Sequence, residues 1–455
     1  MKVQLPKFVL EILDQFEKKG FEIYVVGGAV RDLLTKKIVD DWDFTTNATP
    51  DEILKIFPDG YYNNKFGTVG IPSKTKDLSP HEITTFRKEI GYSDKRHPDK
   101  VIWGKTLQED LKRRDFTINA MALKKLKEKP NEYKLIDPYD GQKDLDKKLI
   151  RAVGKPFKRF SEDALRMMRA VRIAAELGFV IEDETFKAIK MHAALINKIA
   201  KERVKDELLK ILSSPYPYEG IVMLRNAGLM QEIIPEFEKT FDVEQKSPGR
   251  HHIHDVGTHS LFSLKHCKSE KPIVRFATLI HDIGKPQTYK KLPDGVITFY
   301  NHEVVSTNIA KRIAKRLRFS KKQTEKLLTL VRWHQFTVDE RQTDKAIRRF
   351  IRNAGKENIK DMLDLRVGDR LGGGARETSW RLEEFKKRLI EVQKQPFTVH
   401  DLKITGHDVM KELNIKPGPK VGEILEQLYE EIVEKKIPNE KKALMNHLKQ
   451  KEKSK

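Results

Sequence analysis

The chain has 455 residues, 38% hydrophobic and 34% charged, with 89 Lys and Arg against 67 Asp and Glu for a net charge of +22. That length suggests two to four domains of a soluble globular protein, and the basic excess favours a polyanionic partner. No apolar run reaches the ~18 residues a membrane span needs, and Cys267, the single cysteine, excludes an internal disulfide or thiolate metal cluster and fits a reducing, cytoplasmic setting.

The opening MKVQLPKFVLEILDQFEKKG reads as an amphipathic helix interrupted by acids, without a signal-peptide profile. EIYVVGGAVRDLL follows as a strand, a Gly27–Gly28 turn and a helix. Two glycines let a ligand approach the backbone, and free N–H groups at a helix start suit phosphate. Arg31, one turn in, can bind the same anion. In IVDDWDFTTNA, period-two alternation sends Asp41 and Asp43 to one side of a strand. Adjacent carboxylates repel, so the arrangement is stable mainly around a cation, and an all-oxygen site suits Mg²⁺ completed by substrate phosphates. Glu82, in the alternating run HEITTFR, is a candidate third acid facing them. KRRDFTINAMAL supplies Arg113 and Arg114 as forked donors for phosphate or ribose, Asp115 to hold one of them, and Asn119. With GTVGI and KLIDPYD as further β-rich runs, residues 1–150 read as an α/β or α+β unit.

From 151 to 250 the pattern is helical: EDALRMMRAVRIAAELGF, DETFKAIKMHAALINKIA, RVKDELLKILSS and EGIVMLRNAGLM, punctuated by Gly178, Gly228 and the prolines of SSPYPYEG. Helical spacing in EDALRMMR puts Glu162 and Asp163 on a shared face with Arg166, and Arg169 one turn beyond. Most such pairs only stabilise a helix, by about 0.2–0.5 kcal/mol each. Residues 251–375 are helical and rich in His and Asp: His259 in DVGTHSL, His281–Asp282 in LIHDIGKP, His302 in NHEVVS, His334 in RWHQF and Asp369 in RVGDR. Imidazole with carboxylate suits a hydrolytic centre of Mn, Fe, Ni, Co or Mg type. The last region, 376–455, carries the ITGHDVM and KPGPKVG turns and a Lys-rich helix, with HLKQKEKSK expected to fray.

In chain order, GGAVRD, DDWDF, RRDFTINA, DPYDGQKDL, EDALRMMRAVR and RVKDELLKIL, over about residues 20–212, resemble the class II nucleotidyltransferases of the CCA-adding enzyme and bacterial poly(A) polymerase family. The resemblance implies an α+β chain. A nucleotidyltransferase head with a mixed β-sheet (1–150) is followed by an all-α neck (151–250), a metal-binding region (251–375) and an RNA-binding tail (376–455). It implies that Asp41 and Asp43 hold catalytic Mg²⁺, beside Glu82 as the candidate third catalytic acid, and Gly27, Gly28, Arg31, Arg113, Arg114, Asp115, Asn119, Asp163, Arg166 and Arg169 form the nucleotide-binding set.

The resemblance also makes the EDALRMMR helix a protein template for the incoming base. Asp163 accepts from the exocyclic amino group of cytosine or adenine, and Arg166 donates to cytosine N3 or adenine N1, while an Asp163–Arg166 salt bridge orders the edge. Uracil and guanine reverse that order and leave polar groups facing like partners, at about 1–3 kcal/mol each. Glu162 and Arg169 brace the edge or reach phosphate. The segment YSDKRHPDKVIWGKTLQED, residues 92–110, resembles in placement and length the loop of full CCA-adding members. That implies complete CCA addition to tRNA from CTP and ATP. Poly(A) polymerase, or a metal-dependent phosphohydrolase with an RNA-binding head, is the alternative.

The order H…HD…H…H…D over about residues 254–372 resembles an HD-domain phosphohydrolase. That resemblance assigns metal binding to His259, His281, Asp282 and Asp369, with His302 and His334 as second-metal ligands. It implies removal of 2′,3′-cyclic or terminal phosphates from RNA 3′ ends. The stretch DLKITGHDVMKELNIKPGPKVGEILEQLYEEI resembles the RNA-facing tail of the family's longer members. The implied partners are tRNA, CTP and ATP, with no membrane; monomer and homodimer stay open.

Overall fold

The computed structural model describes residues 2–62, 67–72, 80–90, 100–126, 131–245, 254–336, 342–393, 399–434 and 436–453. Two compact units divide the chain: Met1–Phe241 with Arg312–Phe319, and Asp242–Lys311 with Ser320–Lys455. Among the described residues no helix is long and apolar enough to cross a membrane.

In the first unit, strands β1 (Ile23–Val26), β2 (Asp43–Thr46), β3 (Tyr61–Tyr62), β4 (Thr68–Ile71) and β5 (His81–Thr85) precede a separate hairpin, β6 (Arg87–Ile90) with β7 (Lys100–Trp103). Strands β8 (Ala122–Lys125) and β9 (Tyr133–Ile136) then complete a seven-stranded mixed sheet in the order β3-β4-β5-β2-β1-β8-β9, in which only β2 and β5 pair in parallel. Residues 91–99 of the loop expected between TTFR and KRRDF lie outside the described residues.

Strand β1, IYVV, is apolar throughout because both of its faces are covered. The amphipathic helix Lys7–Lys18 lays Val9, Ile12, Leu13 and Phe16 on one face with Val25, Phe44 and Ile83. Their spacing is the i, i+3, i+4, i+7 stripe, and each such side chain contributes about 1.5–3 kcal/mol when fully buried. Tyr24, Val26 and Ala122 turn to the other face, where Phe86, Leu107 and Leu111 pack. One consequence sets up the site: the register joins Val26 to Asp43 and Asp43 to Glu82, so the β1 end beside the Gly27 turn adjoins two acids on neighbouring strands.

The rest of the first unit is helical apart from a two-residue ladder, Leu149–Ile150 with Val180–Ile181. Helix Leu165–Leu177 is buried along most of its length, packs on Lys201–Ser213, and ends at Gly178, whose φ of +70° is the left-handed cap that glycine adopts without strain. EDALRMMR is therefore not one helix. Pro156–Glu162 stops at Glu162, Asp163 is extended (φ −135°, ψ 105°), and the next helix begins at Leu165. The physical reason is the short Asp163 carboxylate, which accepts the Leu165 N–H at 3.0 Å and so competes with a continuous helix.

In the second unit, helix Val256–Lys265 lies against Ile359–Gly372. Gly368 and Gly372 permit this approach: a Cβ at Gly368 would stand 2.6 Å from Ser263 O, and one at Gly372 would collide with Ser263. At its C-terminal end, Val409, Leu428, Ile432, Leu444 and Leu448 form a small core of their own. Leu444 and Leu448 are buried on one face of helix Lys441–Lys453, which runs into the stretch expected to fray.

Candidate active site and candidate metal centre

The first cluster forms where β1, β2 and β5 end side by side. Trp42 is buried in the core and Asp43 points away from it, as alternation requires, but β2 begins at Asp43, so Asp41 stands just before the strand instead of within it. Gly27 has φ +72° and ψ −138°, a conformation essentially confined to glycine, and a Cβ there would come within 3.3 Å of Asp43 Oδ2 and 3.0 Å of Arg114 Nη1. The turn is thus bare where the acid and the arginine approach it.

Burial lifts the Asp43 carboxyl, and Asp41 and Glu82 add to the effect against the pull of Arg114 and Arg169, leaving it at about 6. A buried acid whose proton affinity is raised further by two neighbouring acids is the electrostatic signature of a site short of positive charge, and an all-oxygen donor set fits Mg²⁺. Glu82 is exposed at its strand position next to Asp43. Among the described residues, the groups of three donors within 4.8 Å of one another are those of the second unit. The three head acids are therefore neighbours more widely spaced than a closed cage.

The arginines are positioned by partners that differ in part from expectation. Arg31 is forked onto Asp32 at 2.9 and 3.0 Å, and its Nη1 donates to Asn119 Oδ1 at 3.0 Å. Three of its five N–H groups are committed, leaving one on each terminal nitrogen. Asp115, expected to hold Arg113 or Arg114, instead accepts Arg169 Nε at 2.8 Å and Nη2 at 2.6 Å. Burial pushes the Asp115 carboxyl up, but Arg169, with Arg166 beyond it, brings it down to about 2. The residue holding the arginine pair is Asp110, fully buried, 2.7 Å from Arg113 Nη2 and 3.4 Å from Arg114 Nη2. Sequence reasoning missed Asp110; its i, i+3 and i, i+4 spacing to the two arginines was the available signal.

The edge expected to read the base is also assembled differently. Among the contacts of the described residues, Arg166 pairs with Glu162 and not with Asp163: its Nη1 lies 3.1 Å from Glu162 Oε2 and 3.3 Å from Arg159 O, and its Nη2 donates to Arg113 O at 3.2 Å. That leaves Nε–H and one Nη2–H of Arg166 uncommitted, while Asp163 uses only Oδ1, on Leu165. Glu162 also takes Arg159 at 2.9 Å. A fixed guanidinium and a carboxylate with a spare oxygen stand at the start of one helix, beside Arg169.

The second cluster lies wholly within the second unit. His259, His281, Asp282, His302, His334 and Asp369, from five separate segments, converge in its interior. His281 and His334 cap the C-terminal ends of Pro272–Ile280 and Lys321–Trp333, and His302 opens His302–Arg316. Each of these three rings donates Nδ1–H to the carbonyl three residues before it (Thr278, Phe299, Val331) at 2.7–2.8 Å, which turns Nε2 inward. Asp282 divides the group. Its Oδ2 is 3.2 Å from His281 Nε2 and 3.5 Å from His259 Nε2; its Oδ1 is 3.2 Å from His302 Nε2 and 3.5 Å from His334 Nε2. Asp369 Oδ1 closes the first side, 3.2 Å from His259 Nε2.

Burial lowers the proton affinity of His281, yet Asp282 and Asp369 raise it to about 10, so the cavity favours positive charge. Converging ring nitrogens and carboxylate oxygens with that preference fit divalent metal ions. Two further groups were not anticipated: Lys285 Nζ, 2.6 Å from both Asp282 Oδ2 and Gln245 Oε1, and Arg366, 2.9 Å from Asp369 Oδ2. The signal was again helical spacing, Lys285 lying three residues after Asp282 and Arg366 three before Asp369.

A mixed sheet with clustered acids beside a glycine turn, continued by helices whose arginines reach back to it, defines a nucleotidyltransferase head and neck. Residues 23–151 match the family model of the poly(A) polymerase head domain, 178–241 that of the RNA- and SrmB-binding site of polymerase A, and 297–448 that of tRNA nucleotidyltransferase domain 2. The chain is 33% identical over 440 residues to the CCA-adding enzyme of Levilactobacillus brevis, covering 95% of each, and 46% identical over 224 residues to that of Limosilactobacillus reuteri, covering 48% of this chain and 53% of the other. It belongs to the CCA-adding enzyme family. Its fold is similar to the Bacillus stearothermophilus CCA-adding enzyme in complex with CTP (26% identity, 99% of both chains, TM-score 0.72). The Thermotoga maritima CCA-adding enzyme complexed with tRNA shares the fold at 18% identity, 98% and 95% coverage and TM-score 0.60.

Proposed function

We propose that this protein adds CCA to tRNA 3′ ends from CTP and ATP without a nucleic-acid template, in the cytoplasm. The observation that carries the reading is the approach of Asp43, its carboxyl lifted by burial and then by Asp41 and Glu82, to the bare turn of Gly27. The primer 3′-oxygen forms a bond to the α-phosphorus as the bond to the β-phosphate oxygen breaks and pyrophosphate leaves. Mg²⁺ held by Asp41 and Asp43 would lower the pKa of the 3′-hydroxyl and neutralise charge on the leaving pyrophosphate. Glu82 adds negative charge to the same strand ends, and Arg31 and Arg114 supply donors for the triphosphate.

Asp163 accepts from the amino group of cytosine or adenine with its spare oxygen, and the uncommitted Nε–H and Nη2–H of Arg166 donate to the ring acceptor. Glu162 and the Arg113 carbonyl hold that guanidinium from behind. The named relatives support this substrate pair. A poly(A) polymerase would share these parts and differ in product length. The test is incorporation of labelled CTP into tRNA lacking CCA: Asp41→Ala with Asp43→Ala is expected to abolish it, and persistence of addition would end the reading.

A second activity rests on Asp282, which serves two histidine pairs with its two oxygens. The cluster would hold two divalent ions and act as a phosphohydrolase on RNA 3′-phosphates. Water oxygen bonds to phosphorus while the phosphate–ribose bond breaks and the ribose oxygen takes a proton. Release of phosphate from a 3′-phosphorylated or 2′,3′-cyclic nucleotide with a transition metal, lost in His281→Ala with Asp282→Ala, is the expected result. Equal turnover in that variant would remove the second activity.

A further inference from the structure

We propose that the mouth of the histidine–aspartate cluster continues into a second subsite, built by Arg366, Arg370 and Trp380, that takes the penultimate nucleotide of a single-stranded RNA end. The proposal rests on the phosphohydrolase reading of that cluster and names its substrate: a strand terminus in preference to a free nucleotide.

A cavity of about 580 Å³ opens on Asp282, His302, His334 and Asp369 and is walled by Arg366 and Arg370. A second cavity, of about 610 Å³, shares those two arginines and Gln335 and extends to Trp380 and Arg381. Each is of the size of a small-ligand site. No carboxylate is among the described residues lining the second cavity, which carries three arginines. A phosphate occupying it meets three guanidinium groups and no carboxylate among the described lining residues.

The arginines are held but not used up. Arg366 gives Nη1 to Asp369 at 2.9 Å and lies over the Phe336 ring at 5.6 Å, while its buried Nε has no hydrogen-bond partner among the described residues. Arg370 donates Nε to Arg376 O at 3.2 Å, which leaves both terminal nitrogens for a phosphate fork. Trp380 is 64% exposed at the start of helix Trp380–Gln393, whose core side chains are Leu382, Phe385, Leu389 and Val392. The indole is therefore not needed to seat its own helix; the Arg381 guanidinium lies over its ring at 5.3 Å, and the exposed indole offers a stacking surface beside a phosphate grip, the combination that binds single-stranded nucleic acid irrespective of sequence.

The full-length protein loaded with Mn²⁺ is compared on cytidine 3′-phosphate and on the dinucleotide CpC bearing a 3′-phosphate. The dinucleotide is expected to have the higher kcat/KM by roughly tenfold, the scale of one stacked base. Trp380→Ala and Arg370→Ala are expected to erase that advantage through KM, with Trp380→Phe restoring most of it. Tryptophan quenching by the dinucleotide is measured in parallel. It is expected to be absent in Trp380→Phe, and half-saturation is expected to shift roughly tenfold upward in Arg370→Ala. A parent that prefers neither substrate, or variants that keep the preference, overturns the subsite and leaves the hydrolase standing. Absent hydrolysis with the expected quenching overturns the hydrolase and supports the subsite; absence of both overturns both.

Discussion

Gly27 offers a perturbation whose two consequences can be separated. Its φ of +72° with ψ of −138° means that alanine there carries backbone strain, on the order of 1–3 kcal/mol. The new Cβ would in addition stand 3.0 Å from Arg114 Nη1 and 3.3 Å from Asp43 Oδ2, tighter than ordinary van der Waals contact, so both side chains must shift. Gly154 is the matched control: its φ is +74°, and a methyl group there would meet nothing within 4 Å. Gly27→Ala and Gly154→Ala should both lower thermal stability, Gly27→Ala by more because its Cβ also crowds two side chains. Only Gly27→Ala should slow CTP addition, by roughly 10- to 100-fold, since displacement of an ångström at a reacting centre costs up to about 10²-fold. Initial rates of labelled-CTP incorporation at saturating tRNA, beside melting curves of both variants, measure the two effects. Equal rates for the two variants would refute the assignment of Asp43 and Arg114 to the reacting centre.

Asp43 also gives a pH dependence. Burial, Asp41 and Glu82 raise its carboxyl from 3.8 to about 6, so its contribution to stability is full below its ordinary value and is lost as pH rises through 6. In EDTA-treated protein, Asp43→Asn should therefore raise the melting temperature near about pH 7.5 and have little effect near about pH 4; an equal effect at both contradicts the cause assigned. Loss of the charged partner of Arg166 in Glu162→Gln should raise UTP misincorporation relative to CTP by roughly tenfold, a charged hydrogen bond being worth about 1.5–3 kcal/mol; unchanged selectivity means the guanidinium needs no such anchor. In the second unit, His334→Ala should bind one Mn²⁺ fewer than the parent and Asp282→Ala two fewer, because the two oxygens of Asp282 serve different histidine pairs. Equilibrium dialysis decides this, and one ion lost in each would show that Asp282 does not bridge. Affinity for labelled tRNA should fall at least tenfold between about 50 and 200 mM salt if backbone phosphates dominate; a flat response contradicts that.

The features readable from sequence are those set by local periodicity. The stripe of Val9, Ile12, Leu13 and Phe16, the apolar β1 and the Gly27 turn need only neighbours in the chain to specify them. The six His and Asp residues of the second unit were identifiable by residue type and order, and the structure brings them together. What sequence did not reveal depends on competition between partners. The helix breaks at Asp163 because one carboxylate prefers the Leu165 N–H. Arg166 has two acids within helical reach and takes Glu162. Asp115 turns to Arg169, 54 residues away, while buried Asp110 keeps the nearer arginine pair. A two-residue difference in where β2 begins leaves Asp41 outside it, which alternation alone has no means of detecting.

The most direct measurement supplies a tRNA lacking its last three nucleotides with CTP alone, ATP alone, UTP, GTP, and then CTP with ATP, and reads product length at single-nucleotide resolution. The expected outcome is two additions with CTP alone, three with CTP and ATP together, and none with UTP or GTP. Long homopolymer tails from ATP alone, or comparable use of all four triphosphates, would contradict it.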